Sequence, residues 1–361
     1  MAKETFIPTG RDWPLKSATR WLKFKTLDDK VGKGLWRIHD SLYDFRPFIE
    51  LHPGGHEWSA MTEGQDITEA FEVAHIRGLK AEAIAKKYFK RKIDVPRNSQ
   101  TTFKPNGKKE RLQDLQPCMF RNLIVGIYIS EFYMTLKQKV AKIIYSDEVQ
   151  GPGPTQKSLL MQDFLAFTFL SLLVASGLKQ SWQLACLAGL VLGMNTSCAH
   201  NFFHQSDMQW RRFYFDLSLL SSRDWRVSHM LSHHLHTNTY NDIEIYGIEP
   251  FLNFLPSPNK NWIQRYLVHL YINLVYFVAF HTELIKKVVF VFILKEDKLR
   301  PENSLPFLEL GLLYLTMQGQ FLKALAFWGV IHGMSGFWLI FTSLIASHHH
   351  PDIYHAGDTP R

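Results

Sequence analysis

Tyr43-Asp44-Phe45-Arg46-Pro47-Phe48-Ile49-Glu50-Leu51-His52-Pro53-Gly54-Gly55-His56-Glu57-Trp58 is the stretch on which the reading of the fold turns. His52 opens an HPGG turn, in which proline fixes φ and two glycines let the backbone come close to whatever lies beside the imidazole. His75 follows twenty-three residues on, after Gly64-Gln65-Asp66-Ile67-Thr68-Glu69-Ala70-Phe71-Glu72-Val73-Ala74. Before the turn, Leu35-Trp36-Arg37-Ile38 alternates like a short strand and Leu42-Tyr43-Asp44 like a second, with a tight turn between them. After it, residues 56–64, 66–74 and 78–90 carry helical spacing, with Asp66 as N-cap and Glu69 three residues on. Residues 35–93 thus predict a compact mixed domain that holds two histidines on separate elements.

A six-coordinate haem needs two imidazoles facing each other from separate elements, between apolar walls. Phe48, Trp58, Phe71 and Leu79 are placed in sequence to supply the walls. The HPGG turn with a second His at this distance resembles the cytochrome b5 family over about residues 30–93. That resemblance implies one haem b with His52 and His75 as axial ligands, and one-electron transfer. The interval is one residue shorter than in free-standing members and is similar to that of domains fused to desaturases. Glu50, Glu57, Glu63, Asp66, Glu69 and Glu72 surround the segment. They read as a solvated face and as an acidic rim that would speed encounter with a basic reductase, NADH-cytochrome b5 reductase by resemblance.

Outward from this domain (residues 20–95), residues 96–154 form a linker with Pro96, Pro105, Asn106-Gly107 and Pro117. Within it, residues 118–146 have a helical pattern broken by Glu131, Lys137 and Lys139, which suits a helix lying on a membrane surface. Residues 155–361 hold long apolar runs between His-rich loops. Segments 159–178 and 182–199 each approach the roughly 20 apolar residues that cross a bilayer, and only Lys179 to Ser181 separate them, so a hairpin is predicted. Further apolar stretches lie at 266–281, 288–294, 305–317 and 324–346, with a short amphipathic one at 213–221. Bringing the histidines at 348–350 back to those at 200–236 needs an even number of crossings between them. The fold expected is an α+β haem domain followed by an all-α polytopic membrane domain of about four transmembrane helices, part of 262–300 lying on the interface.

Histidines cluster at the mouth of this second domain. His200 and His204 stand four apart at the end of an apolar run. His229, His233, His234 and His236 repeat that spacing and add two more rings, and His348 to His350 follow the last run. Imidazole suits iron, zinc and copper alike, and eight or more ligands suit two metal ions. His200-Asn201-Phe202-Phe203-His204 resembles the first histidine box of membrane fatty-acid desaturases, and His229-Met230-Leu231-Ser232-His233-His234-Leu235-His236-Thr237-Asn238 the second, with Asp242 and Glu244 after it. The resemblance covers about residues 155–350 and extends to front-end desaturases and to insect cytochrome b5-related proteins. It implies two non-haem irons, held by His200, His204, His229, His233, His234 and His236 and by His349 and His350 where these substitute. It also implies O2-dependent desaturation of a lipid acyl chain with electrons relayed by the fused haem. The family's third box, (H or Q)xxHH, has no match in Ser347-His348-His349-His350-Pro351-Asp352-Ile353-Tyr354-His355, and Asn201 stands where the first box often has Asp. Two functions therefore stay open: the oxidoreductase, and a membrane-anchored haem electron carrier with an incomplete di-iron domain.

Composition narrows the remaining classes. The chain has 361 residues and a net charge of +8, from 41 Lys+Arg against 33 Asp+Glu, at a mean hydropathy of −0.13 that averages two unlike halves. Its cations scatter instead of forming a nucleic-acid face. Lys157, Arg211, Arg212, Arg223, Arg226, Lys286 and Lys287 flank apolar segments, as cytosolic-side anchors do. Cys118, Cys186 and Cys198 offer neither a metal spacing nor a disulfide framework. No signal peptide is legible, which places the haem domain in the cytosol, and resemblance places the chain in the endoplasmic reticulum membrane.

Overall fold

Two sheet-and-helix signals at the N-terminal side and a set of long apolar helices beyond them organise the chain. The computed structural model describes residues 15–76, 78–95, 97, 102–103, 109–110, 131–146, 153–205, 210–237, 241–249, 251–252 and 260–345. Strands β1 (Trp36–Ile38) and β2 (Ser41–Tyr43) pair antiparallel about His39, whose φ of 53° makes the turn. Helices α2 (His56–Met61), α3 (Thr68–Ala74) and α4 (Gly78–Lys86) follow, each close to its predicted span. The N-cap of α3 is Ile67, one residue after the expected Asp66, whose side chain accepts from Thr68 N at 3.1 Å while Glu69 pairs with Arg97.

Two elements differ from the prediction. The helical spacing over 78–90 ends at Lys86, and Phe89–Lys92 forms β3, which pairs with β2 and closes a three-stranded sheet in the order β1-β2-β3. Helix α1 (Ala18–Asp29) precedes the sheet, capped by Ser17, in a stretch where no helix was read. It is fixed to the haem domain by polar contacts, as Gln65 Nε2 donates to Leu22 O at 3.2 Å and Asp66 N donates to Asp29 Oδ2 at 2.8 Å. The domain core is aromatic: Trp36, Ile38, Phe45 and Ala85 are buried, with Tyr43, Phe48, Phe71 and Tyr88 packed against them.

Helix α5 (Glu131–Ile144) returns to the haem domain, where Lys137 Nζ reaches Glu72 Oε2 at 2.9 Å. The predicted hairpin follows. Helix α6 (Gln156–Lys179) stops where Gln180 turns left-handed, and Ser181 caps α7 (Trp182–His200). Short helices α8 (Ser222–Trp225), α9 (His234–His236) and α10 (Ile243–Tyr246) form a cap over the helix ends. The long helices α11 (Val268–Val288), α12 (Leu305–Thr316) and α13 (Phe321–Leu339) complete the described fold. Among the described residues, two helices are long and apolar enough to cross a membrane, Gln156–Lys179 and Phe321–Thr342.

Close helix contact sets this second core. Gly193 of α7 faces Trp338, whose Cβ lies 2.8 Å from where a Cβ on that glycine would stand, so α7 and the last helix meet backbone to ring. Asn195, which carries a glycosylation-like sequon, is buried. It accepts from Gln162 Nε2 at 2.7 Å and donates to Tyr214 O at 2.9 Å. Arg211 pairs with Asp163 at 2.7 and 2.8 Å, and Lys287 pairs with Asp224 and Asp297. These cations are ion-pair partners inside the fold, beyond any anchoring role.

Asp216, in the 3₁₀ turn Trp210–Leu217, is 1 % exposed. One carboxylate oxygen accepts from Ser222 N at 2.9 Å, and the other has no partner among the described residues. Burial pushes its carboxyl up to about 7, with Glu302 and Asp224 adding to the effect against the Ser222 hydrogen bonds. A carboxyl whose folded pKa exceeds its unfolded value loses stability as pH rises between the two, here from about 4 to about 7. At about 1.4 kcal/mol per unit the loss is of order 4 kcal/mol. Asp216→Asn is therefore expected to gain several degrees of thermal midpoint relative to wild type between pH 5 and pH 8. A difference that stays flat with pH would contradict this.

Candidate haem and metal sites

The HPGG turn presents His52 by local chemistry. Gly55 has φ +111°, which favours glycine, and a Cβ on Gly54 would sit 3.0 Å from His52 Cε1, so a larger residue there would press on the ring. The turn brings Gly55 O to 2.8 Å from His52 Nδ1, while Phe71 O lies 2.8 Å from His75 Nδ1. With each Nδ1–H donated to a backbone carbonyl, the two Nε2 atoms are left as lone-pair donors. The ring centroids are 6.2 Å apart, a gap that takes one metal ion with metal–nitrogen bonds of about 2 Å on each side. Burial pulls His75 below the ordinary imidazole range and keeps it neutral for ligation.

Phe48 lies edge-on to His52 at 5.7 Å and Phe71 lies 4.6 Å from His75, so both take the wall positions read for them. The Leu79 side chain falls outside the described residues. Trp58 does not wall the crevice. It packs instead with Leu22, Met61, Val227 and Leu231 in a cluster shared with the second domain. Sequence adjacency to His52 could not say which face of α2 carries it.

The acidic rim is largely taken up internally. Arg97 binds Asp66 at 2.7 Å and Glu69 at 2.6 Å, and Glu72 meets both Lys137 and His39 at 2.9 Å. Glu63 accepts from Gly34 N, and Glu57 pairs with Arg226. Glu50 stays exposed.

At the other site, His200 ends α7 and His204 ends the 3₁₀ turn after it. Their partners come from Arg226–His233, which is π-helical and runs into α9. The wider π turn moves residues five apart onto one face. His229 and His234 consequently meet, Nε2 to Nε2, at 2.9 Å. His229 also reaches His200 at 2.7 Å, and His200 reaches His204 at 3.2 Å. The ligand atoms of His200, His204, His229 and His234 all lie within 4.8 Å of one another. Four imidazoles converging this way form a donor set suited to a transition-metal ion, and so fit the iron that the boxes imply.

Carboxylates orient the rings from behind. His229 Nδ1 meets Glu244 Oε1 at 2.9 Å and His233 Nδ1 meets Asp242 Oδ2 at 2.9 Å. Carboxylate partners fix the tautomer and leave Nε2 as the ligand atom. Burial lowers His233, but the Asp242 hydrogen bond and the Glu244 and Asp242 charges outweigh it and raise the ring above its ordinary range. His233 stacks on His229 at 5.6 Å yet lies outside the four-histidine group. His236 lies apart from it as well, buried 6.4 Å from Trp21, and burial holds its pKa at about 3. His348, His349, His350 and His355 lie outside the described residues. Trp225, which no sequence signal singled out, stacks on His229 at 5.6 Å and 29°.

An apolar groove of about 760 Å³ has Trp225, Ser228 and Glu244 in its lining together with Leu220, Val275, Val278, Phe280, Leu339 and Ile340. Two of these, Trp225 and Glu244, touch His229.

Comparison with known proteins agrees with both halves. The family described as "Fatty acid desaturase" matches residues 180–361, and "Cytochrome b5-like Heme/Steroid binding domain" matches residues 20–94. The "Cytochrome b5-related protein" of Drosophila melanogaster is 32% identical over 360 residues, covering 99% of this chain and 76% of that protein. The protein of the same name from Drosophila virilis is 45% identical over 82 residues, 23% of this chain and 57% of its own length. "Delta(5) fatty acid desaturase A" of Dictyostelium discoideum is 25% identical over 257 residues, 66% of this chain and 49% of that enzyme. No solved structure matches the chain. With one family matched from residue 180 onward and the other over the HPGG domain, the chain belongs to the fatty acid desaturase family, in the branch that carries a fused cytochrome b5 domain.

Proposed function

We propose that this chain is a membrane-bound desaturase of lipid acyl chains, supplied with electrons through a haem held by His52 and His75. The groove carries this reading: an apolar cavity of about 760 Å³, two of whose lining residues, Trp225 and Glu244, touch His229. Its volume lies in the range of ligand pockets, about 300–1,000 Å³, and its lining matches a methylene chain. Each buried methylene would contribute about 0.8 kcal/mol, and the same lining excludes water from the histidine end.

Within this reading, His200, His204, His229 and His234 hold non-haem iron, Glu244 and Asp242 hold the rings of His229 and His233 in register, and His349 and His350 complete the set. Iron there supplies O2 activation and removal of hydrogen from an unactivated methylene. An external reductase, NADH-cytochrome b5 reductase by resemblance, would reduce the haem domain. Four spans in all, α6, α7 and the last helix among them, would place the histidines on the cytosolic side of the endoplasmic reticulum membrane, with part of 262–300 along the interface.

Total iron per haem in the purified, detergent-solubilised chain tests the reading. The expected result exceeds one by at least one non-haem ion. A ratio of one would overturn it in favour of the electron carrier. Val275→Trp, in the lining of the groove, is expected to move preference toward shorter acyl chains by about tenfold. Fatty-acid profiles of cells expressing each form, which also separate desaturated from hydroxylated products, report it.

A further inference from the structure

The two domains share a buried core. Ala18 and Trp21 of α1 pack with Val227, Leu231, Ile243 and Tyr246, and Trp21 Nε1 donates to Asn241 O at 2.8 Å. Arg226 is 2 % exposed. Its Nη1 donates to Glu57 Oε2 at 2.5 Å and its guanidinium lies 4.1 Å over the Trp58 ring. Glu57 and Trp58 open α2, directly after the turn that bears His52. Trp225, the neighbour of Arg226, stacks on His229 at the four-histidine group. Adjacent residues of one π-helical entry therefore touch the haem domain and the metal-site ring. In the same first turn of α1, Arg20 makes a two-point ion pair with Glu296 at 2.8 and 3.2 Å and lies over Phe290.

We propose that the haem domain is seated on the second histidine segment as a fixed docking surface, and that Arg226 is the positioning residue that locks α2 against it. The functional part of this inference rests on the haem-to-histidine electron path proposed above; the seating does not. A guanidinium that is both ion-paired and stacked fixes orientation as well as distance, which a flexible linker cannot do. The buried apolar contact supplies adhesion, and the Glu57–Arg226–Trp58 contact supplies register. A domain held this way gives every turnover the same donor-to-acceptor geometry.

Backbone amide exchange on the full-length, detergent-solubilised protein tests the seat without requiring turnover. Arg226→Glu is expected to raise exchange in α1, α2 and residues 226–233 together by tenfold or more, with haem absorbance retained as the control for folding. The paired exchange Glu57→Arg with Arg226→Glu is expected to restore protection, a rescue that mere loss of packing would not show. Should Arg226→Glu lose haem, Glu57→Gln is measured instead, with the same increase expected at smaller size. Unchanged exchange in α1 and α2, or failure of the paired variant to restore protection, overturns the proposal. Protection with no acyl product formed would leave the seat standing and reject the desaturase reading alone.

Discussion

His229→Ala is expected to strip the non-haem metal while leaving the haem absorbance of the same protein intact. The His229 Nε2 contacts both His200 at 2.7 Å and His234 at 2.9 Å, so one nitrogen touches both boxes. Removing it leaves three of the four imidazoles, His200 beside His204 and His204 beside His234. It also leaves the Glu244 carboxylate without the ring it orients. Loss of an orienting partner alone costs about 10–100-fold in metal affinity. Loss of the ligand together with its link between elements is therefore expected to exceed about 100-fold, and Glu244→Gln to fall near tenfold. Metal analysis after dialysis against a chelator, normalised to haem, measures both. Because His233 and His236 lie outside the four-histidine group, His236→Ala is expected to retain metal. A His229→Ala protein with unchanged non-haem metal would mean that the ion is held elsewhere.

Local chemistry was legible in the sequence, and long-range partnership was not. The HPGG turn could be read because glycine and proline dictate backbone geometry within four residues, and the helices after it because their apolar spacing is local. The second histidine box was legible in part. Its four-residue spacing puts His229 beside His233, which stack at 5.6 Å, while the π-helical stretch also brings His234 to 2.9 Å from His229. A π turn leaves no periodic trace over eight residues, so only the backbone reveals which rings converge. Arg226 looked like one of several membrane-flanking cations because its partner, Glu57, lies 169 residues away. Trp58 looked like a haem wall and α1 went unread for the same reason, since the surface they bury against belongs to the other domain. The apolar face that docks α1 is made of Ala18, Trp21 and Leu22, too few residues to announce a helix alone.

His52→Ala is the companion experiment, and its expected outcome is the mirror image: haem lost, non-haem metal kept. The two rings stand with centroids 6.2 Å apart, each aimed by one carbonyl, Gly55 O and Phe71 O. Removing either ring halves the iron's protein ligands and opens the crevice beside Phe48 or Phe71 to water. Haem content is expected to drop by more than tenfold in both His52→Ala and His75→Ala. The domain itself should persist, because its core of Trp36, Ile38, Phe45 and Ala85 and its seat on residues 227–246 use neither histidine. Such a protein separates the two halves of the proposed reaction. It should hold metal at His200, His204, His229 and His234 but accept no electrons from an added reductase, and form no desaturated acyl product. If desaturation survives without haem, electrons reach the histidine cluster by another route, and the fused domain serves a purpose other than delivery.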